Sequence, residues 1–149
     1  MNTLARSRNL LLRGSAGFTL IEMLVVLVII GLIMGLVGPR VLNYLTDARV
    51  KATKLQIEAL SSALDLYYLD NGRYPSSSEG LAALVRRPSS ADSWNGPYLK
   101  GGAVPADPWK NDYIYRAPGD SAPFEIMSLG SDGREGGSGS ASDIRSAKP

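Results

Sequence analysis

The sequence predicts an α+β fold: one long N-terminal α-helix, apolar enough to span a membrane in its first half and amphipathic in its second, packed on a small antiparallel β-sheet with a C-terminal loop. Three observations lead there. From Met23 to Pro39 no residue carries a charge. Beyond Pro39 the apolar residues continue at three- and four-residue steps, and after Gly72 the composition shifts to Pro, Gly, Ser and Tyr with two short β-type runs.

Residues 1–17 contain Arg6, Arg8 and Arg13, no acid, and the small residues Ser15, Ala16 and Gly17, the basic front of a membrane-targeting signal. In a secretory signal the small-residue cleavage site follows the apolar run, whereas here Gly17 precedes it. Phe18 to Pro39 then supplies 22 residues, enough to cross about 30 Å of hydrocarbon as a helix. The arginines in front put the N-terminus in the cytoplasm and the remainder of the chain outside. Gly31, Gly35, Gly38 and Pro39 interrupt this run and allow two readings: small residues tolerated in a transmembrane helix, or a point where the helix kinks or melts on leaving lipid.

After Pro39 a stripe of Val41, Leu45, Ala48, Ala52, Leu55, Ala59, Ala63 and Leu66 predicts that the same helix continues with one apolar face, ending at the turn residues Asp70-Asn71-Gly72. A short helix is expected over Glu79 to Val85 behind the cap candidates Ser76, Ser77 and Ser78. Tyr113 to Arg116 and Phe124 to Ser128 read as strands joined through Pro118-Gly119-Asp120, with a third short strand near Tyr98-Leu99. The expected organisation is a cleaved leader at 1–17, a membrane and assembly helix at 18–39, and a globular domain at 40–149.

Charge and composition exclude several function classes. Three of the 16 Lys and Arg residues precede Phe18, leaving 13 basic against 14 acidic side chains and a net charge of −1 in the remainder. The basic pI therefore belongs to the leader and is no signal for nucleic acid. Cysteine and histidine are absent, which removes disulfides, thiol nucleophiles, imidazole bases and the usual zinc ligands. No nucleophile and base stand in a recognisable catalytic arrangement, so the chain does not read as an enzyme. Any metal would be held by oxygen. The Gly/Ser-rich stretch Ser128 to Pro149 reads either as a disordered tail or as a loop in which Asp132 and Asp143, with backbone carbonyls, surround one hard cation. Calcium, with six to eight oxygens in loose geometry, suits such a loop better than magnesium does.

Gly17-Phe18-Thr19-Leu20-Ile21-Glu22, behind a basic leader and ahead of an apolar run, resembles the type IV pilin-like signal. The segments "YYLDNGRYPSSSEGLAALV", "WNGPYLKGG", "PADPWKNDYIYRAPG" and "FEIMSLGSDG" resemble, in that order, the major pseudopilin family of the bacterial type II secretion system, its G subunit. The resemblance implies a pilin-like fold and a series of expectations. A prepilin peptidase would cut between Gly17 and Phe18 and methylate the new amine of Phe18. The subunit would sit in the inner membrane with its globular domain in the periplasm, and an assembly platform with minor pseudopilins would stack it into a helical homo-oligomeric filament. That filament would drive folded proteins through an outer-membrane secretin. The resemblance also implies a structural calcium ion, with Asp132 and Asp143 as carboxylate ligands and the backbone oxygens of Leu129 and Arg134 as helpers. An adhesive type IV pilus major pilin is the nearest alternative, from which the missing cysteines separate this chain; a simple membrane tether leaves Gly17 and Glu22 unexplained. Two departures from the family pattern stand out: Lys110 where glycine is common after Asp-Pro-Trp, and Arg145-Ser146-Ala147-Lys148-Pro149 in place of a Gly-Asn-Trp-like ending.

Glu22 is the one charge in the front of the apolar run. A carboxylate deep in a bilayer costs about 2.5 to 3.5 kcal/mol. Two roles fit it: reaching the headgroups from the helix end, or pairing with the Phe18 amine released by cleavage and so setting the stagger at which subunits assemble.

Overall fold

The computed structural model describes residues 17–146, and residues 1–16 of the leader and residues 147–149 lie outside the described residues. Internal contacts divide the chain into a unit ending at Arg40 and a second beginning at Val41. Helix α1 is Leu20–Asn71. Its backbone stays helical at Gly31, Gly35, Gly38 and Pro39, so the interruptions expected there are absorbed without a break.

In the first unit every described residue from Gly17 to Val37 is exposed. Among the described residues this run of Leu, Ile, Val and Met has no cover, and it is long and apolar enough to cross a membrane. An apolar surface of this extent is stable only in lipid or against other protein.

The second unit forms its core on the later turns of α1. The buried residues there are Thr53, Ile57, Leu60, Ala63, Leu64 and Tyr67. This corrects the expected stripe: of its members in this stretch, Leu55 is 65% exposed and Leu66 51% exposed, and only Ala63 is buried. The second half of the helix carries apolar residues on more than one face, and the spacing rule alone does not say which face the rest of the chain covers. The thread Thr53, Ile57, Leu60, Leu64, Tyr67 has the same three- and four-residue steps as the stripe predicted beside it. Each fully buried Leu or Ile contributes about 1.5 to 3 kcal/mol.

The helix ends where its turn residues predict. Gly72, at φ +70°, donates its N–H to the Tyr68 carbonyl at 2.7 Å, and Asn71 Nδ2 donates to the Tyr67 carbonyl at 3.0 Å. Arg73 then forks onto Glu79 with N···O distances of 2.8 and 2.9 Å, and the Ser90 hydroxyl donates to the same carboxylate. The guanidinium holds the Glu79 carboxyl well below the usual carboxylate range. The helix expected over 79–85 is a short 3-10 helix, Leu81–Leu84, whose Leu81 and Leu84 enter the core. Its expected serine cap acts one turn earlier. Ser76 and Glu79 exchange backbone-to-side-chain bonds at 2.7 and 3.2 Å and close the turn that leads in.

The sheet has three antiparallel strands in the order β1-β2-β3: β1 Ile114–Arg116, β2 Glu125–Ser128 and β3 Ile144–Arg145. Tyr115 faces Ile126 across the first pair and Ser128 faces Ile144 across the second. The first two strands fall where the sequence places them. The third does not: Tyr98-Leu99 is no strand, and Tyr98 instead packs edge-on against Tyr67 and donates its hydroxyl to Asp70 at 2.7 Å. The third strand comes from the stretch with tail-like composition, because Ile144 is an apolar residue that the core can use.

Candidate functional site

The first candidate site is the start of α1. Gly17, Phe18 and Thr19 are non-helical and exposed, with Phe18 76% exposed, so the Gly17–Phe18 bond lies in accessible chain ahead of the helix. Thr19 is the cap of α1. The Glu22 N–H donates to Thr19 Oγ1 at 3.3 Å, and the Thr19 N–H donates to Glu22 Oε2 at 3.4 Å. This reciprocal pair is the capping box that Thr-x-x-Glu encodes, satisfying two of the free amides at the helix start. The pattern is legible in the sequence, and reading Glu22 only as a charge in a membrane overlooks it.

The second candidate site is the loop from Leu129 to Asp143, between β2 and β3. The register sets its base: one step beyond the Ser128 and Ile144 pair, Leu129 and Asp143 stand at the mouth of the hairpin. Asp132 and Arg134 lie in the exposed turn beyond, where the Arg134 N–H donates to Asp132 Oδ1 at 3.2 Å. The Ser131 N–H donates to the Ser140 carbonyl at 2.9 Å and closes the loop on itself. At Gly130, φ is +64°, and a Cβ there would come within 2.9 Å of the Ser140 and Ser142 carbonyl oxygens, so only glycine lets the two sides approach.

Asp143 is the residue here with unspent capacity. Its side chain is 11% exposed; Oδ2 accepts the Gly136 N–H at 3.1 Å and lies 3.5 Å from the Arg145 guanidinium, while Oδ1 is buried with no partner. A buried, unpartnered carboxylate oxygen is costly unless something cationic or donating meets it. Among the described residues no three acidic, His or Cys side chains cluster to hold a metal. A cation here would therefore take two carboxylates and complete its shell from backbone oxygens, which is the donor set calcium accepts.

The loop is hung on a buried polar hub that sequence reasoning missed. Asp107, only 4% exposed, accepts the Trp109 and Asn111 N–H groups on Oδ1 at 3.0 and 2.8 Å and the Ser128 hydroxyl on Oδ2 at 2.6 Å. Asn111 Nδ2 in turn donates to the Gly130 carbonyl at 2.9 Å, and the Gly130 N–H donates to Ser128 Oγ at 3.3 Å. The Asp-Pro pair at 107–108 is the available signal, since Asp before Pro favours a turn closed by its own side chain.

Residues 40–147 match the family model described as type II secretion system protein G. The chain belongs to the type II secretion system protein G family. Residues 12–38 also match the prokaryotic N-terminal methylation motif. Among protein G relatives, the type II secretion system core protein G of Pseudomonas aeruginosa is 48% identical over 136 residues, covering 89% of this chain and 94% of the relative. That of Vibrio cholerae is 43% identical over 136 residues, covering 89% and 92%. The crystal structure of the major pseudopilin from the type 2 secretion system of enterohaemorrhagic Escherichia coli superposes with a TM-score of 0.59 at 32% identity, covering 74% of this chain and 91% of that one. The fold is thus pilin-like, as the resemblance implied. Within this protein G chain, Lys110 adopts φ +73°, the left-handed conformation that glycine favours. The turn survives the departure, at a conformational cost of about 1 to 2 kcal/mol, and the Lys110 N–H still donates to the Asp107 carbonyl at 2.8 Å.

Proposed function

We infer that this chain is the major structural subunit of a type II secretion pseudopilus, a filament that polymerises in the periplasm and drives folded proteins through the outer-membrane secretin. The observation that carries this reading is the pairing, in one chain, of an N-terminal methylation motif on a helix start whose apolar residues are all exposed up to Val37 with a protein G globular unit. The motif supplies a cleavage point at Gly17–Phe18 and an amine on Phe18 for methylation by a prepilin peptidase. The apolar helix anchors the waiting subunit in the inner membrane and becomes the packing surface among copies in the filament. In the second unit, exposed Leu55, Leu66 and Leu69 on the later turns of α1 offer apolar surface to neighbouring copies or to minor pseudopilins. The inner-membrane assembly platform would extract the subunit and add it to the growing end. Membership of the protein G family supports reading the chain as a structural protein.

Calcium at the C-terminal loop would be held by Asp132 and Asp143 with the backbone oxygens of Leu129 and Arg134. Bound there, it would supply the charge neutralisation and cross-linking that fix a Gly/Ser loop. The unpartnered Asp143 Oδ1 is what makes the loop fit such an ion.

Complementation tests the function. In a bacterium lacking its own protein G, expression of this chain is expected to restore release of a folded exoprotein into the medium. Release that stays at the deletion level, with the chain present and processed, would remove the secretion role.

A further inference from the structure

The structure gives Arg145, in β3, a specific position. Its guanidinium lies 3.1 Å from Glu125 Oε1 and 3.5 Å from Asp143 Oδ2, so one cation is shared between two carboxylates. Both carboxylates are largely buried, at 15% and 11% side-chain exposure. Each leaves its second oxygen, Glu125 Oε2 and Asp143 Oδ1, buried without a partner. The trio therefore carries a net charge of −1, half neutralised and with acceptor capacity to spare.

We propose that Arg145 is a resident counter-cation of the loop, which holds Asp143 in place without metal and sets how strongly the loop takes up a divalent cation. The inference rests on the calcium reading above. Its physics is a competition. Without metal, the guanidinium stabilises the Asp143 and Glu125 carboxylates and keeps the mouth of the β2–β3 hairpin closed. With metal, the same charge stands on the far oxygen of a ligand carboxylate and repels the incoming ion. A unit charge a few ångströms from a divalent ion in a water-like dielectric changes its affinity about ten-fold. The loop is consequently ordered at low calcium and binds calcium more weakly than its carboxylates alone would allow.

The test uses the full chain in non-ionic detergent, titrated with calcium chloride against a chelator. Binding is followed by calorimetry and unfolding by the fluorescence of Trp94 and Trp109, the two tryptophans of the chain. Arg145→Gln is expected to melt several degrees below wild type in chelator and to bind calcium about ten-fold more tightly than wild type. Arg145→Lys, which keeps the charge, is expected to stay near wild type in affinity. Asp143→Ala is expected to lose calcium binding whatever stands at 145. Calcium binding by Arg145→Gln but not by wild type would also support the proposal. Equal or weaker binding by Arg145→Gln would overturn it while leaving the calcium site standing. If no variant binds calcium, the calcium reading and the inference fall together.

Discussion

Asp107→Ala is expected to destabilise the globular unit by about 3 to 5 kcal/mol, the largest single-residue effect outside the apolar core. The substitution removes one carboxylate but strands three donors, the Trp109 and Asn111 N–H groups and the buried Ser128 hydroxyl. A buried donor left unsatisfied costs about 1 to 3 kcal/mol, so the penalty arises from what remains as much as from what is lost. For a unit of this size the melting temperature should fall by more than about 10 °C. Asp107→Asn keeps an acceptor oxygen and is expected to recover part of the loss. Asp112→Ala, at an exposed neighbouring carboxylate, is expected to stay within about 0.5 kcal/mol of wild type. Thermal melts of the full chain in detergent decide it; an Asp107→Ala protein melting within a degree or two of wild type would show that the hub carries no such role. The same hub holds Gly130 through Asn111 and Ser128, so a collapse there also reaches the C-terminal loop.

Glu22→Ala is expected to insert into the membrane as wild type does and to reduce filament yield by more than about ten-fold. The apolar run needs no carboxylate to enter lipid, and an intramembrane charge usually has a functional partner. Within one chain Glu22 closes a capping box with Thr19, and loss of such a cap costs about 1 kcal/mol. That local role makes Thr19→Ala the informative companion, because it removes the cap and keeps the charge. If Glu22 sets the stagger between subunits through the Phe18 amine, Thr19→Ala filaments form near wild-type yield and Glu22→Ala filaments do not. Equal losses in the two variants would reduce Glu22 to a helix cap. Wild-type yield in Glu22→Ala would remove it from assembly altogether.

Much of the fold was legible because several signals were local. The apolar run, the glycine that ends α1 and the two isoleucine-bearing strands each follow from residues adjacent in sequence. What was illegible depended on distant partners. Which face of α1 is covered is decided by Leu84, Ile126 and Ile144, arriving from far along the chain, and not by the helix spacing that Leu55 and Ile57 share. Ile144 makes a strand only because β2 offers it an edge, which a Gly/Ser-rich composition conceals. At the candidate sites, Gly17, Phe18 and Glu22 were proposed from local pattern, and the Thr19–Glu22 cap was readable through Thr-x-x-Glu. Asp132 and Asp143 were found as carboxylates bracketing a loop, whereas Asp107 and Arg145 were not. Their roles lie in contacts to Ser128 and Glu125, 21 and 20 residues away.

If Gly17 to Glu22 is a processed assembly signal, the mature chain begins at Phe18. Intact-mass measurement of the protein purified from bacterial membranes that contain a prepilin peptidase tests it most directly. The expected result is a single species lacking residues 1–17 and carrying one added methyl group, located on Phe18 by fragmentation. A species that retains residues 1–17, or one cut after the apolar run instead of before it, would show that Gly17 to Glu22 is not such a signal.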